Sequence, residues 1–251
     1  MAKIYEALEN AQKGRKGLEI PEIPSSHPPI FSSSSKSRKL DMELDMEEEM
    51  VGLYQTITSL LPDSPKKVVQ FIGSREGEGT STVVREFAKV SAIKFGKSVL
   101  LLDADLSKPS QPLFFNIHPE FGLEEVVQEN KLIDRAIYPI GETNLSVSVI
   151  STNSSSSPQI FNNQRFDPFW RELKQGFDFI LVDSPPATTS PDGLAISPKV
   201  DGVILVLEAE NTRWPVAESA RDKITKSGGK ILGIVLNKRK YYIPEFIYRR
   251  L

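Results

Sequence analysis

Short apolar runs recur along most of the chain, separated by mixed polar stretches. The runs at residues 68–72, 98–102 and 179–182 are almost continuously apolar, which is typical of strands buried on both faces of a parallel sheet. Further strands are predicted at residues 145–150, 203–207 and 231–236. Six strands of this kind predict a sheet with helices on both of its faces.

Helical spacing of apolar residues appears between several of these runs. It extends from Val83 to Ile93 and returns over residues 167–174 and 216–227. An earlier helix is predicted from Met46 onward and is stopped by Pro62. The order strand, helix, strand implies right-handed parallel crossovers, so the chain is predicted to form a doubly wound α/β domain with a mostly parallel sheet.

The two ends of the chain differ from this central domain. Residues 1–14 form an amphipathic pattern too short for a stable isolated helix, so this helix either docks on the domain or a partner or frays. Residues 15–45 are rich in serine and proline and are predicted to be a disordered linker. The main domain is predicted over residues 46–237, and residues 238–251 form a basic tail with three tyrosines.

Composition narrows the class of protein. The 31 basic and 33 acidic residues give a net charge of −2, which argues against a nucleic-acid partner. No cysteine is present, and a zinc site would have to rely on His27, His118 and carboxylates, so neither disulfides nor zinc is expected. No apolar run is long enough to span a bilayer, so we expect a cytoplasmic protein that only a partner could hold at a membrane.

The stretch KVVQFIGSREGEGTST carries the main candidate chemistry. A predicted strand is followed by Gly73, Gly77 and Gly79 and then by a helix, so backbone N–H groups and the helix dipole would point at one place that suits a phosphate. Ser81 would supply the hydroxyl for magnesium. The pattern G-x-x-x-x-G-K-[ST] fails at its first glycine and its lysine, so the loop alone leaves a phosphate site and a simple turn both open.

Three aspartates follow two of the apolar strands. Asp103 and Asp105 end the second strand, and Asp183 ends the run at residues 179–182. Ligands of open parallel sheets bind at the carboxyl ends of the strands, where one carboxylate can hold magnesium and another can accept a proton. Each aspartate could instead cap a turn, but their position downstream of a glycine loop favours a nucleotide site.

Four motifs, GEGTST, VLLLDADLSKP, FDFILVDSPP and DGVILVLEAENTRWPVAESA, resemble those of the bacterial tyrosine kinases of capsular and exopolysaccharide synthesis, which are related to partition and septum-placement ATPases. The resemblance covers residues 46–251, and the opening MAKIYEALENAQK resembles the start of stand-alone members. It implies a P-loop NTPase-like fold, ATP and Mg²⁺ as cofactors, and a membrane chain-length protein (polysaccharide co-polymerase) as partner.

The resemblance also implies roles for individual residues. Asp103 would lie near magnesium, Asp105 would be the base for a tyrosine hydroxyl, and Asp183 would be the Walker B aspartate, so these three form the predicted catalytic group. Asn237 would contact adenine, although a strand-end turn explains it equally well. The phosphate loop would consist of Gly77, Glu78, Gly79, Thr80, Ser81 and Thr82.

The chain departs from the family pattern at several positions. Thr80 replaces the phosphate-binding lysine, and Arg75 stands where partition-type relatives carry a different lysine, so we hypothesise that Arg75 supplies the missing charge. The family's charged oligomerisation positions are occupied here by Gly52, Gln55 and Thr58, which leaves homo-oligomer formation open.

The tail and the loop together define three hypotheses. Tyr241, Tyr242 and Tyr248 are either phosphoacceptors or aromatic anchors on the domain. The leading hypothesis is a kinase that transfers the γ-phosphate of Mg-ATP to these tyrosines and regulates exopolysaccharide synthesis and export. The alternatives are a nucleotide-dependent switch of the same fold and a partition-type ATPase, and the aspartates and glycine loop serve kinase and switch equally.

Overall fold

The computed structural model describes residue 44, residues 46–152 and residues 166–240. The predicted N-terminal helix, nearly all of the predicted linker, and the tail tyrosines Tyr241, Tyr242 and Tyr248 lie outside these residues. In the part of the chain that is described, no helix has the length and apolar content needed to cross a bilayer.

One sheet organises the described residues. Its seven strands lie in the order β3-β4-β2-β5-β1-β6-β7, and every neighbouring pair is parallel except the antiparallel pair β3 and β4. The strands are β1 (Lys67–Gly73), β2 (Val99–Asp103), β3 (Tyr138–Pro139), β4 (Leu145–Val149), β5 (Phe179–Ser184), β6 (Gly202–Glu208) and β7 (Ile231–Asn237). The predicted doubly wound α/β fold with a mostly parallel sheet is confirmed.

Helices pack against the sheet or connect its strands. They are α1 (Glu47–Leu60), α2 (Thr80–Ile93), α3 (Gln111–Phe114), α4 (Leu123–Gln128), α5 (Phe166–Gly176), α6 (Pro191–Ile196) and α7 (Trp214–Lys226), with 3₁₀ turns at Ile133–Ala136 and Ser197–Lys199. The short elements α3, α4, α6 and β3 were not predicted, because two to six residues are too few to establish a hydrophobic period.

Alternation along the strands divides the core between the two faces. Phe71 of β1 and Phe179 of β5 pack with Phe87 of α2 on one face, where the rings of Phe87 and Phe179 meet edge to face with centroids 6.0 Å apart. Ile72, the next residue of β1, packs instead with Ala220 and its neighbours on the face that α7 covers. Each central strand therefore buries both sides, which explains its continuous apolar sequence.

The register of the sheet brings three strand ends together. Asp103 of β2 lies directly opposite Asp183 of β5, and Asp183 in turn pairs with Phe71, two residues before the end of β1. The loop that follows β1 therefore leaves the sheet beside the two aspartates. This edge, at the carboxyl ends of parallel strands, is where the sequence predicted the site.

Candidate functional site

The loop between β1 and α2 has the backbone shape of an anion-binding turn. Gly77 and Gly79 have φ values of 86° and 83°, a region that L-residues rarely adopt. A Cβ on Gly79 would also lie 2.3 Å from Nδ2 of Asn237. The N–H groups of Thr82 and Val83 both donate to the carbonyl of Gly79. The N–H groups of the two residues before Thr82 have no acceptor within the helix and lie at the positive end of its dipole.

Glu78 holds this loop from the inside. Its side chain is buried, and its carboxylate accepts hydrogen bonds from the backbone N–H and hydroxyl of Ser74, from the N–H of Arg75 at 3.1 Å, and from the hydroxyl of Thr212 at 2.6 Å. All these donors belong to the protein. In the predicted phosphate loop, the Glu78 carboxylate therefore holds the loop in its conformation, and only the backbone of Glu78 is available to a phosphate.

The position of the missing lysine is filled by a short polar side chain. A Cβ placed on Gly73 would lie 2.7 Å from Oγ1 of Thr80, so this hydroxyl packs against the beginning of the loop. The loop thus has no ammonium group at the start of α2. A phosphate bound here would lose one charge-assisted hydrogen bond, worth about 1.5–3 kcal/mol.

Arg75 and Lys238 lie at the rim of the loop, and both are paired with Glu208. Arg75 is 39% exposed, with its guanidinium 3.9 Å from Glu208 and 3.9 Å from Glu78. Nζ of Lys238 donates to the carbonyl of Gly77 and lies 3.7 Å from Glu208. Lys238 was assigned from the sequence to the basic tail, and its position against the loop was not foreseen.

Asn237 joins the last strand to the same loop. It ends β7, and its Nδ2 donates to the carbonyl of Glu78 at 2.9 Å. The side chain therefore lies at the glycine turn. Adenine contact stays a prediction for this residue.

Asp103 and Asp183 lie side by side in the sheet and are 2% and 1% exposed. The carboxylate of Asp103 accepts hydrogen bonds from the N–H groups of Asp105 at 3.1 Å, Ser110 at 2.8 Å and Gln111 at 2.9 Å. The carboxylate of Asp183 accepts one from Nε2 of Gln111 at 2.7 Å and one from the Ser81 hydroxyl. Loop, second strand and fifth strand thus meet at two buried acids.

These two acids are electrostatically strained. Burial, reinforced by the charge of Asp183, raises the pKa of Asp103 to about 8. Burial likewise raises the pKa of Asp183 to about 6, and the hydrogen bonds from Gln111 and Ser81 oppose the rise. A cation placed between the carboxylates would favour their charged forms.

The donor set fits magnesium in the presence of a nucleotide. Among the described residues, no group of three or more histidine, cysteine, aspartate or glutamate side chains could hold a metal ion by itself. Mg²⁺ is usually held by one or two carboxylates together with phosphate oxygens and water. Two buried carboxylates and the Ser81 hydroxyl, beside helix N–H groups suited to phosphate, match that requirement.

Asp105 lies just outside this buried pair. It is half-buried, and Oδ1 accepts hydrogen bonds from the N–H groups of Ser107 and Lys108, both at 3.0 Å. A cavity of about 660 Å³ opens along the segment that follows, and Ser110 in its wall also donates to Asp103. Other residues that line the cavity include Lys108, Pro109, Leu113, His118 and Thr152.

Gln111 was not singled out from the sequence. It begins α3, eight residues after Asp103, in a stretch without hydrophobic periodicity. Only its proximity to the DAD motif could have drawn attention to it. The fold brings it into hydrogen-bonding contact with Ser81, Asp103 and Asp183.

Comparisons with known sequences agree with this geometry. A ParA family model, described as NUBPL iron-transfer P-loop NTPase, matches residues 64–247. The tyrosine-protein kinase CpsD of Streptococcus agalactiae is 30% identical over 205 residues, covering 79% of this chain and 88% of the relative. The tyrosine-protein kinase YwqD of Bacillus subtilis is 27% identical over 178 residues, covering 71% of this chain and 75% of the relative.

Solved structures share the fold. The chimerical protein CapA2B2 has a TM-score of 0.69 at 24% identity, covering 77% of this chain and 85% of that one. The septum site-determining protein MinD of Pyrococcus horikoshii, complexed with Mg-ADP, has a TM-score of 0.58 at 21% identity, covering 73% and 76%. The fold, the family match and the CpsD similarity together show that the chain belongs to the ParA-like P-loop NTPases and, within them, to the bacterial tyrosine-protein kinase family.

Proposed function

We propose that the protein is a tyrosine kinase that transfers the γ-phosphate of Mg-ATP to tyrosines of its own tail and thereby regulates exopolysaccharide or capsule synthesis. The observation that carries this proposal is the convergence of Ser81, Asp103 and Asp183 at the start of α2. The family membership and the relatives named tyrosine-protein kinases support it.

The protein groups have distinct tasks in this reaction. Loop N–H groups bind the phosphates, Ser81, Asp103 and Asp183 hold the metal, and Asp105 accepts the tyrosine proton. When bound, Mg²⁺ neutralises charge on the phosphate oxygens. The tyrosine oxygen forms a bond to the γ-phosphorus as the bond from that phosphorus to the bridging oxygen of ADP breaks, and the phenol proton passes to Asp105.

The protein must compensate for Thr80. We assign this task to Arg75, because its two ion pairs are long and its side chain is partly exposed, so the guanidinium can turn to a phosphate at little cost. Lys238 is bonded to a loop carbonyl and contributes positive charge without leaving that position.

The tail begins close enough to serve as acceptor. Lys238 contacts the loop, and Tyr241 and Tyr248 follow it by three and ten residues, which span at most about 10 Å and about 35 Å when extended. We propose that this length brings a tail tyrosine to the site of the same chain or of a neighbouring copy. The cavity lined by Lys108 and Ser110, in the segment that follows Asp105, is the approach that we propose for the acceptor tyrosine.

The partner follows from the same function. We propose that a membrane polysaccharide co-polymerase recruits the protein to the cytoplasmic side of the membrane, where Mg-ATP is available. One relative is named succinoglycan biosynthesis transport protein ExoP of Rhizobium meliloti, and the chain covers 23% of its length.

The test is phosphorylation by the purified full chain. Incubation with magnesium and γ-labelled ATP should label tail tyrosines, the label should disappear in Asp105→Asn, and it should persist in Asp134→Asn, which changes an exposed aspartate far along the chain. ATP binding without any label would contradict the kinase and support the nucleotide-dependent switch, which the absence of the loop lysine favours.

A further inference from the structure

Gln111 connects the three residues predicted to hold magnesium. Its side chain is fully buried. Its backbone N–H donates to Oδ2 of Asp103 at 2.9 Å, and Nε2 donates to Oδ2 of Asp183 at 2.7 Å and to the carbonyl of Ser81 at 3.0 Å. A single residue thus contacts the loop helix and both strand-end acids.

The two acceptors fix the orientation of the amide. Asp183 and the carbonyl of Ser81 both require a donor, so the NH₂ group faces them and Oε1 faces the other way. Oε1 is buried and has no hydrogen-bond partner among the described residues. An acceptor left in this condition costs about 1–3 kcal/mol, so a donor from outside the protein would stabilise it.

A second buried glutamine shows what a purely structural amide looks like in this sheet. Gln70 of β1 is also fully buried, and its Nε2 donates to Ser184 and to the carbonyl of Gly193. Its Oε1 accepts a hydrogen bond from Ser197 at 2.8 Å. Both ends of Gln70 are thus satisfied by the protein, whereas one end of Gln111 is not.

We propose that Gln111 is a positioning residue of the magnesium-nucleotide site, whose NH₂ group orients Asp183 and the Ser81 carbonyl and whose Oε1 accepts a hydrogen bond from a donor outside the protein. This inference rests on the proposed function, because it requires Mg²⁺ and a nucleotide to bind at Ser81, Asp103 and Asp183. The backbone N–H groups of the glycine loop do not depend on the Gln111 amide. Loss of the amide should therefore weaken the contribution of magnesium and spare metal-free binding.

The test measures the dissociation constant of ADP by calorimetry, with Mg²⁺ and with EDTA, for the full chain. In Gln111→Met, the ratio of the two constants should fall about tenfold, the loss of about one hydrogen bond to a charged group, with the EDTA value changed less than about twofold. The magnesium concentration at half-maximal effect should rise. Gln70→Met, the matched control, should lower the melting temperature and keep the wild-type ratio.

Each other outcome overturns a stated claim. A wild-type ratio in Gln111→Met, or an equal loss of affinity in both buffers, would make Gln111 a structural residue. If Gln111→Met fails to fold, Gln111→Asn, which withdraws the amide and keeps its polarity, decides by the same ratio. Wild-type protein that binds ADP in neither buffer would overturn the proposed function itself, whereas a magnesium-dependent wild type with an unchanged Gln111→Met overturns only this inference.

Discussion

The two halves of the candidate site are built in opposite ways. In the loop half, a buried carboxylate, Glu78, is surrounded by donors of the protein, and Arg75 and Lys238 are paired with Glu208. In the carboxylate half, Asp103 and Asp183 are buried against each other, and burial raises the pKa of both. Protein hydrogen bonds hold both halves, but only the second places two buried acids against each other, an arrangement that a cation would stabilise.

This difference indicates how the protein binds phosphate. The loop provides a preformed backbone cradle but, with Thr80 at its end, little positive charge. The carboxylates provide the place for that charge to be supplied by a metal ion. We infer that magnesium contributes more of the attraction for a nucleotide here than it does in a loop that has its own lysine.

The largest effect is expected from the carboxylate half. Asp183→Asn removes a charge that faces both Asp103 and the Ser81 hydroxyl, so the protein should bind magnesium more weakly. We expect the magnesium enhancement of ADP affinity to fall about 100-fold, or about 2.7 kcal/mol. Calorimetry with Mg²⁺ and EDTA measures it, and Asp63→Asn, at an exposed position, serves as control. An enhancement that survives in Asp183→Asn would place the metal elsewhere.

A substitution in the loop half should lower the free energy of unfolding of the protein. Glu78→Ala leaves the N–H groups of Ser74 and Arg75 without their acceptor, which should lower the free energy of unfolding by about 2 kcal/mol. Glu76→Ala, two residues away and exposed, should change it by less than about 0.5 kcal/mol. Urea unfolding followed by circular dichroism compares the two. Equal stabilities would show that Glu78 does not brace the loop.

A lysine at position 80 should give the loop half a positive charge of its own and reduce its dependence on magnesium. Thr80→Lys adds an ammonium at the start of α2 and should tighten ADP binding about tenfold in EDTA, since a charged hydrogen bond is worth about 1.5–3 kcal/mol. The magnesium ratio should shrink accordingly. Thr225→Lys, at an exposed position of α7, provides the charge-matched control. No gain in Thr80→Lys over this control would contradict a charge-poor loop.

The strained acids should appear in the pH dependence of stability. The pKa of Asp103 is about 8 in the folded protein and about 4 when unfolded, so the metal-free protein should lose stability as the pH rises between these values. Asp103→Asn removes this loss, and at pH 8 we expect it to be more stable than the wild type by about 1 kcal/mol. Thermal unfolding in EDTA at pH 5 and pH 8 measures it. If the wild type and Asp103→Asn lost stability equally as the pH rises, the raised pKa of Asp103 would be contradicted.

The smallest effect is expected at the rim of the loop. Arg75→Ala removes a half-exposed cation whose ion pairs are long, so ADP affinity should fall about threefold, and less at high salt. Arg221→Ala, on the exposed surface of α7, is the control for net charge. Unchanged affinity and turnover in Arg75→Ala would refute its compensation for Thr80.

The parts of this site that depend on local sequence pattern could be predicted from the sequence. Apolar strands, glycines that allow positive φ, and aspartates at strand ends are all readable locally, so the fold and the convergence of Asp103 with Asp183 could be anticipated. The inward turn of the Glu78 carboxylate could not, since one of its donors, Thr212, lies 134 residues away.

Other contacts depend on geometry that a sequence does not display. Lys238 reaches the loop from a left-handed backbone conformation, with φ at 57°, directly after the last strand. Gln111 reaches Asp183 because a single helical turn follows β2 at the right distance. Helices of one turn have no period to recognise, so the residues they place in a site are missed.

We infer that magnesium supplies most of the charge which the phosphate loop lacks, and that Arg75 supplies a smaller part. The most direct measurement is the affinity of the wild-type full chain for ATP in Mg²⁺ and in EDTA, by calorimetry on one preparation. We predict binding at least about 100-fold tighter with magnesium, or about 2.7 kcal/mol. Equal affinities in the two buffers would contradict the account, because the loop would then hold the phosphates without the carboxylates.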